Sequence, residues 1–560
     1  MIHIKNNLGL IIVFLLSLIP LINLLTPGLP VAHDSLDHVV RIASFYTNLK
    51  EGIFIPRWAG NLNFGFGHPI LMFLYPLPSY ISSVFHFLGA SYADSFKLTL
   101  TSTYILSGIF MYLWLSRFLG NVSAVFGSVL FLYAPYRFID LYVRGALGEH
   151  VAFLFLPLAL LSIYLINNLS KNERLRKYYF TFLFSSISFA GLILSHNAIS
   201  LLFIPFILFY VLYLFFDHKS KLKFVLTLSS LFFGFLFSFF FWFPAFFEGK
   251  YTLRDIVTEG VYKDRFVDLA DLFYGVWSFG GTGQFSVQIG IIQIIILISS
   301  VVLFFKLFRK KDKLKYLYIG TLIYLLISVF LMLHSSNFIW ENVSTLQKLQ
   351  FPWRFLSIAV FTTSLIGALF IYSLNIKRKE VLTSVLIILA IVQTIGFWQA
   401  KEYRQIKDFY LEGIIESTTD TGESSPIWSV RFMESHAYSN IEIIEGEGEM
   451  VELPRKSTYH EYVIDAKSKI RIRENTLYFP GWKVYDNGKL IESVEFQDPE
   501  NRGIITFYLD QGMHNIILKF EETKLRYCSN LISLLSLLFI IVVPFLLYLL
   551  SKTKVRRLEW

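Results

Sequence analysis

The sequence is poor in charge and nearly devoid of cysteine. Only 16% of its 560 residues are Asp, Glu, Lys or Arg, and 54% are hydrophobic. Soluble globular chains sit nearer ~25% charged and ~45–50% apolar, so a soluble enzyme is excluded. Cys528 is the single cysteine, which excludes an internal disulfide. The first apolar run, about 8–26, lacks a small-residue cleavage site and exceeds a signal-peptide core, so it reads as a retained span. The two halves show no internal repeat and no broken helices in corresponding positions, which speaks against a transporter.

Apolar runs are what the chain has in abundance. Runs long enough to cross a bilayer of about 30 Å fall near 8–26, 96–118, 122–139, 150–168, 178–195, 198–216, 224–247, 288–305, 316–334, 355–374, 381–398 and 528–550. That predicts twelve spans. A further stretch, 69–89, holds Pro69, Pro76 and Pro78 and is ambiguous. Charge decides it. If 69–89 does not cross, one side of the membrane collects the basic clusters at Lys171–Lys177, Lys219–Lys223, Lys306–Lys315, Lys377–Lys379 and Lys552–Arg557. The net charge of +9 then reads as positive-inside flanking charge and not as a nucleic-acid footprint. Both termini are placed in the cytoplasm, and 69–89 becomes a Pro-broken helix at the outer leaflet, tolerated where protein covers it.

The same parity brings 27–68, 137–149, 248–287, 335–354 and a large polar stretch from 399 to the outer face. Within that stretch, Gly503–Leu509 and Asn515–Phe520 read as strands, with turn signals at Asp486-Asn487-Gly488 and Asp510-Gln511-Gly512. About 100 residues of short strands fit a β-sandwich. Trp482 and Tyr485 are either exposed sugar-binding aromatics or, for Trp482 in Phe479-Pro480-Gly481-Trp482, core. The expected division is a transmembrane domain over 1–398, an extracytoplasmic β-rich domain over 399–527, and a final span with a basic tail over 528–560.

The first outer loop carries the chemistry signal. From Asp34 a helical pattern begins, with Leu36, Val39, Val40 and Ala43 on an apolar stripe and Asp34, Asp37, His38 and Arg41 on another. The helix reads as amphipathic and interfacial, with its acids in the first turn. Asp34 or Ser35 also suits a plain N-cap, and both readings stand. Other outer segments add ionisable groups: Arg144, Glu149 and His150 in one bend, Ser195-His196-Asn197 between two apolar runs, and Gln350-Phe351-Pro352-Trp353-Arg354 at the mouth of a span. Such groups at a membrane edge are expensive, so function is the default hypothesis. The rival readings are an Arg144–Glu149 structural ion pair, a core His196, and Trp353-Arg354 as an interface anchor.

Together these residues resemble the membrane glycosyltransferases of the GT-C fold. Within them the chain is similar to the "6-pyruvoyl-tetrahydropterin synthase-related" membrane proteins. The resemblance rests on His33-Asp34, Leu49-Lys50-Glu51-Gly52 with Pro56-Arg57-Trp58, and Gly65-Phe66-Gly67-His68-Pro69 with Tyr75-Pro76-Leu77-Pro78. Later in the chain it rests on Arg144-Gly145 with Glu149, Ser195-His196-Asn197 and Gln350–Arg354. The stretch from Gly481 to Lys489 also looks like the outer β-domain of lipoteichoic-acid glycosylating membrane proteins. Nothing in the chain resembles a soluble pterin enzyme with its three-histidine zinc site.

The resemblance implies a polytopic α-helical protein that moves a sugar from a polyprenyl-phosphate donor to a glycan, lipid or protein acceptor on the outer face. It implies Asp34 as the base that takes the acceptor proton, with Glu149 orienting an Arg or holding the acceptor. Arg144, Arg354 and Arg57, with His196 behind them, are the candidates to meet the leaving phosphate. His33, Asp37, His38, His68 and Trp353 complete the expected substrate-binding set. Asp34, His38 and Glu149 form a loose set for Mg²⁺ or Mn²⁺, and no metal ligand is assigned. The chain departs from the common pattern in lacking a second acid beside Asp34, which is followed by Ser35. A flippase of lipid-linked saccharides and a non-catalytic assembly protein are the alternatives.

Overall fold

The computed structural model describes residues 2–170, 172–280, 285–309 and 312–557. Among the loop cations, Lys171, Lys310 and Lys311 lie outside the described residues. Nine helices among the described residues are long and apolar enough to cross a membrane, and two bent pairs raise the number to 11. A shorter apolar helix, Ile291–Leu307, falls on another of the expected runs. The bent pairs fall on the runs 122–139 and 224–247, which the sequence expects to span. Asn121–Leu132 turns by 48° into Pro135–Arg144, and Lys221–Phe237 turns by 64° into Phe239–Tyr251. Pro135 opens the second limb of the first pair, where a missing N–H is harmless and the preceding residue is kept out of helix.

Residues 69–89 do not form a span. They fold as two short helices, Ile70–Phe73 and Leu77–Phe87. The longer, with 11 residues, reaches only about 16 Å at 1.5 Å per residue, half of what a hydrocarbon core requires. The first-loop helix runs Ser35–Lys50 but is not the half-wet helix expected. Leu36, placed on the apolar stripe, is 42% exposed, whereas His38, Arg41, Ser44 and Asn48 are buried beside Val39, Ala43 and Phe45. Protein covers the polar stripe, so charge is held inside the structure instead of facing solvent.

After 399 the strand Tyr403–Arg404 pairs with Leu29–Pro30 of the first loop, and the strands of the β-domain's own two sheets begin at Ile441, about 40 residues past the 399 boundary. Five antiparallel strands in the order Gly448–Glu452, Tyr459–Ala466, Gly512–Phe520, Trp482–Asp486 and Lys489–Leu490 form one sheet; Ile441–Glu445, Ile470–Leu477 and Ile504–Leu509 form the other. Strict alternation of burial along Tyr459–Ala466 marks a strand with one face on a core, built from Tyr462, Ile464, Ile472, Phe507, Ile516 and Leu518.

That domain is seated on the first loop, 27–68. Trp482 is 4% exposed and meets Trp58 edge-on, with centroids 5.5 Å apart. It is a docking and core residue, so it is closed to sugars. Pairs of this geometry add about 0.5–1.5 kcal/mol beyond the area they bury. The amide of Leu477 donates to the carbonyl of Phe66 (2.9 Å) and that of Ser457 to Glu51. Buried Arg526 pairs with Glu248 at 2.7 Å.

Candidate functional site

The stretch 399–440, which the sequence suggests is part of the β-domain, is a strap laid across the first loop. Its backbone pairs with that loop through Asn63 to Ser417, Phe64 to Ile415 and Ile415 to Asn61, at 2.8–2.9 Å. Its side chains then tie three pieces of the site together. Thr419 Oγ1 accepts from Arg41 Nε (3.0 Å), Glu423 accepts from Gln350 (2.7 Å), and Ser425 Oγ meets His68 Nε2 (3.3 Å).

At the centre, the backbone amides of His33 and Asp34 donate to the carbonyls of Val143 and Arg144 (2.9 and 2.8 Å). The first loop is thereby fixed against a π-helical turn, Ile139–Arg144, a form of helix that gathers at functional sites. Gly145 ends that turn in a left-handed conformation, and a Cβ there would lie 2.6 Å from Ser35 Oγ, so only glycine permits this approach. Arg144 is consumed by its own neighbours. Its Nη1 donates to Asp140 (2.7 Å), Glu149 (2.7 Å) and the Tyr136 hydroxyl (3.2 Å), while Tyr136 donates to the other Glu149 oxygen (3.0 Å). Its guanidinium also lies 4.7 Å from the Trp353 ring centroid. Glu149 is therefore an anchor for Arg144, fully buried, and both carboxylate oxygens are engaged.

Around this anchor the expected residues converge. His38 interacts electrostatically with Arg41, His196 and Arg144, Arg144 with Asp34, and Glu149 with His196 and Arg354. Asp34 is half-buried, makes no capping bond, and forms no side-chain hydrogen bond or ion pair among the described residues. Asp34 does stand at the N-cap position, its carbonyl accepting from the His38 amide (2.9 Å), but its carboxylate is not spent on capping. Arg354 is tethered through Nη1 to the Leu349 carbonyl (2.7 Å) with its guanidinium over Phe351. Trp353 is buried between Arg144 and Phe285, facing the protein interior and not a membrane surface. His33 is exposed, with Nε2 2.6 Å from the Phe279 carbonyl.

Burial and neighbours set the charges of the first-loop groups. Asp37 is pushed up to about 6 by burial, with Asp34 and Asp420 adding to the rise and Arg41 opposing it. Burial, helped by the Arg41 cation, drives His38 well below the usual histidine range, so it is neutral. His68 is likewise lowered by burial, against the pull of Asp420. Burial raises the Asp420 carboxyl, but His68, the hydrogen bond from Ser424, Arg41 and the Gly422 amide outweigh it, and Asp420 stays ionised.

Arg57 is the clear departure from expectation. It is buried elsewhere, held by Glu522 (2.9 Å), Asn530 (2.8 Å) and the Phe240 carbonyl (3.2 Å), where it joins the β-domain to the last helix. Three participants escaped the sequence reading, Asp420, Asp140 and Tyr136, and Tyr75 entered it only within the Tyr75-Pro76-Leu77-Pro78 motif, with no role assigned. Asp140 stands four residues before Arg144, a spacing that a search for intrahelical ion pairs would have caught. Among the described residues no three His, Cys, Asp or Glu side chains converge as a metal-ligand group, the trio of Asp34, His38 and Glu149 included.

Fold and site together define an integral membrane protein with a cluster of charged side chains where the first loop, two helix starts and the strap meet. Residues 71–403 match the family described as "6-pyruvoyl-tetrahydropterin synthase related domain; membrane protein", and the chain belongs to that family. An uncharacterized protein of Lactococcus lactis subsp. cremoris is 31% identical over 196 residues, which are 34% of this chain and 31% of that one; the match thus spans about a third of the relative's length. Among solved structures, the arabinofuranosyltransferase AftD from Mycobacteria aligns over 70% of this chain and 27% of its own, with 15% identity and a TM-score of 0.43. ArnT from Cupriavidus metallidurans, bound to undecaprenyl phosphate, aligns over 65% and 60%, with 11% identity and a TM-score of 0.37.

Proposed function

We propose that this protein is a membrane glycosyltransferase that moves a sugar from a polyprenyl-phosphate donor to an acceptor hydroxyl at the outer membrane face. The observation that carries the reading is Asp34. It is a carboxylate with no side-chain partner among the described residues, positioned by two backbone hydrogen bonds, within electrostatic reach of Arg144, and sharing Tyr75 as a neighbour with Arg41 and Arg354. A structural acid would be paired; this one is left available.

The chemistry follows from the arrangement. An acceptor hydroxyl attacks C1 of the sugar as the C1–O bond to phosphate breaks, through an oxocarbenium-like state. Asp34 takes the acceptor proton late, and the electron pair leaves on the lipid phosphate. That phosphate goes from one negative charge to two, so cations serve it better than an acid. Arg144 is already neutralised by Asp140 and Glu149, and Arg57 is engaged elsewhere. The role falls to Arg354 and to Arg41, whose Nη atoms have no hydrogen-bond partner among the described residues. Glu149 acts as a positioning residue that holds Arg144 and, through it, the turn on which Asp34 rests. The polyprenyl donor rests on the motif resemblance set out above. The outer placement of cleft and β-domain rests on the basic loops at the opposite helix ends.

The test is sugar transfer from labelled polyprenyl-phosphate sugars by purified protein in proteoliposomes. Asp34→Asn should fold to wild-type yield and lose about 10²–10⁴-fold in rate, the range of a general base. Transfer at the wild-type rate by the variant would remove Asp34 from the reaction.

A further inference from the structure

Tyr75 lies in the break between the two short helices that follow the first loop. Its ring stacks on His196, with centroids 4.6 Å apart and planes 26° from parallel. His196 is itself fixed, because its Nδ1 accepts from the amide of Ile199 (3.3 Å). Gly148 packs so closely that a Cβ there would lie 2.2 Å from the Tyr75 ring. The ring is thus clamped, yet its hydroxyl makes no hydrogen bond among the described residues. The groups facing it are Asp34, Arg41, Glu149 and Arg354, with His196 beneath the ring.

Resting on the glycosyltransferase reading, we propose that Tyr75 is a further catalytic residue. Its O–H donates a hydrogen bond to the phosphate oxygen that receives the electron pair as the C1–O bond breaks. The proton stays on the phenol throughout; the acceptor's proton goes to Asp34, and the lipid phosphate departs as a dianion. Burial pushes the phenol up to about 12, with Arg41 and Arg354 opposing the rise, so the donor keeps its hydrogen across the working pH range. A fixed neutral donor aimed at a charge that grows during reaction discriminates the transition state from the bound donor lipid.

Tyr75→Phe keeps the stack on His196 and the packing against Gly148 while removing the hydroxyl alone. We expect kcat to fall about a hundred-fold, the usual loss of one preorganised donor, with KM within about two-fold and an unchanged unfolding temperature. Replacing Tyr75 by 3,5-difluorotyrosine acidifies the phenol without changing the ring stack. It should introduce an alkaline loss of activity that the wild-type profile lacks, an effect a packing role would not produce. A Tyr75→Phe protein with wild-type kcat, or a difluorotyrosine protein with the wild-type pH profile, overturns the proposal. Wild-type Tyr75→Phe kinetics beside an inactive Asp34→Asn protein sink Tyr75 alone. A wild-type protein that transfers no sugar sinks both readings.

Discussion

Gly148→Ala isolates the geometry of the cleft without touching a charge. The new Cβ would stand 2.2, 2.3 and 2.6 Å from Cε2, Cζ and the hydroxyl oxygen of Tyr75, where ordinary contact begins at 3.4 Å. The ring must therefore retreat by about an ångström, which disturbs its stack on His196. Overpacking of this kind costs about 1–3 kcal/mol. A displacement of ~1 Å at a catalytic constellation lowers rate by about 10²-fold. Two assays separate the effects: thermal unfolding in detergent reads the packing strain, and sugar transfer normalised to folded protein reads the displaced ring. We expect both to fall, with Gly148→Ala plus Tyr75→Phe no slower than the worse single variant, because both changes act on one hydroxyl. A Gly148→Ala protein with wild-type stability and rate would refute the clamp.

Other predictions follow from the same contacts. Glu149→Gln removes one of two carboxylates from the buried Arg144 cluster; with Asp140 still paired it should destabilise by less than the ~3–5 kcal/mol of an orphaned buried charge, read as a lowered unfolding temperature. Arg57→Ala should loosen the β-domain through loss of Glu522 and Asn530, shown by protease sensitivity near 440, while transfer per folded molecule stays at the wild-type level. Asp37, raised to about 6, binds its proton more tightly folded than unfolded, so its contribution to stability is full at low pH. That contribution is lost as pH rises from about 4 to about 6, by at most about 3 kcal/mol. Asp37→Asn should accordingly flatten the pH dependence of unfolding in that window.

The membrane architecture was legible because it depends on composition. Long apolar runs and basic flanks fixed where helices fall, and a bilayer rewards those features wherever they occur along the chain. Bends were not legible, since Pro135 and Ser238 mark breaks only once neighbours determine the direction of each limb. Much of the cleft was legible for a similar reason: ionisable residues such as Asp34, Arg144, Glu149 and Arg354 stand out in an apolar chain. Their roles were not. Whether Arg144 is open or consumed depends on Asp140 and Tyr136, and whether Arg57 faces the cleft depends on Glu522, 465 residues away. The strap was hidden because Thr419, Asp420 and Ser425 lie in a polar stretch whose composition matches the strands after it.

The central claim is that a bond to the lipid phosphate breaks in this cleft. The most direct measurement follows donor lipid, transferred sugar and released polyprenyl phosphate together in proteoliposomes containing only this protein. The account predicts one polyprenyl phosphate released per sugar transferred, with both products lost in Asp34→Asn. Intact donor lipid crossing the bilayer with no phosphate released would contradict it and identify the protein as a carrier.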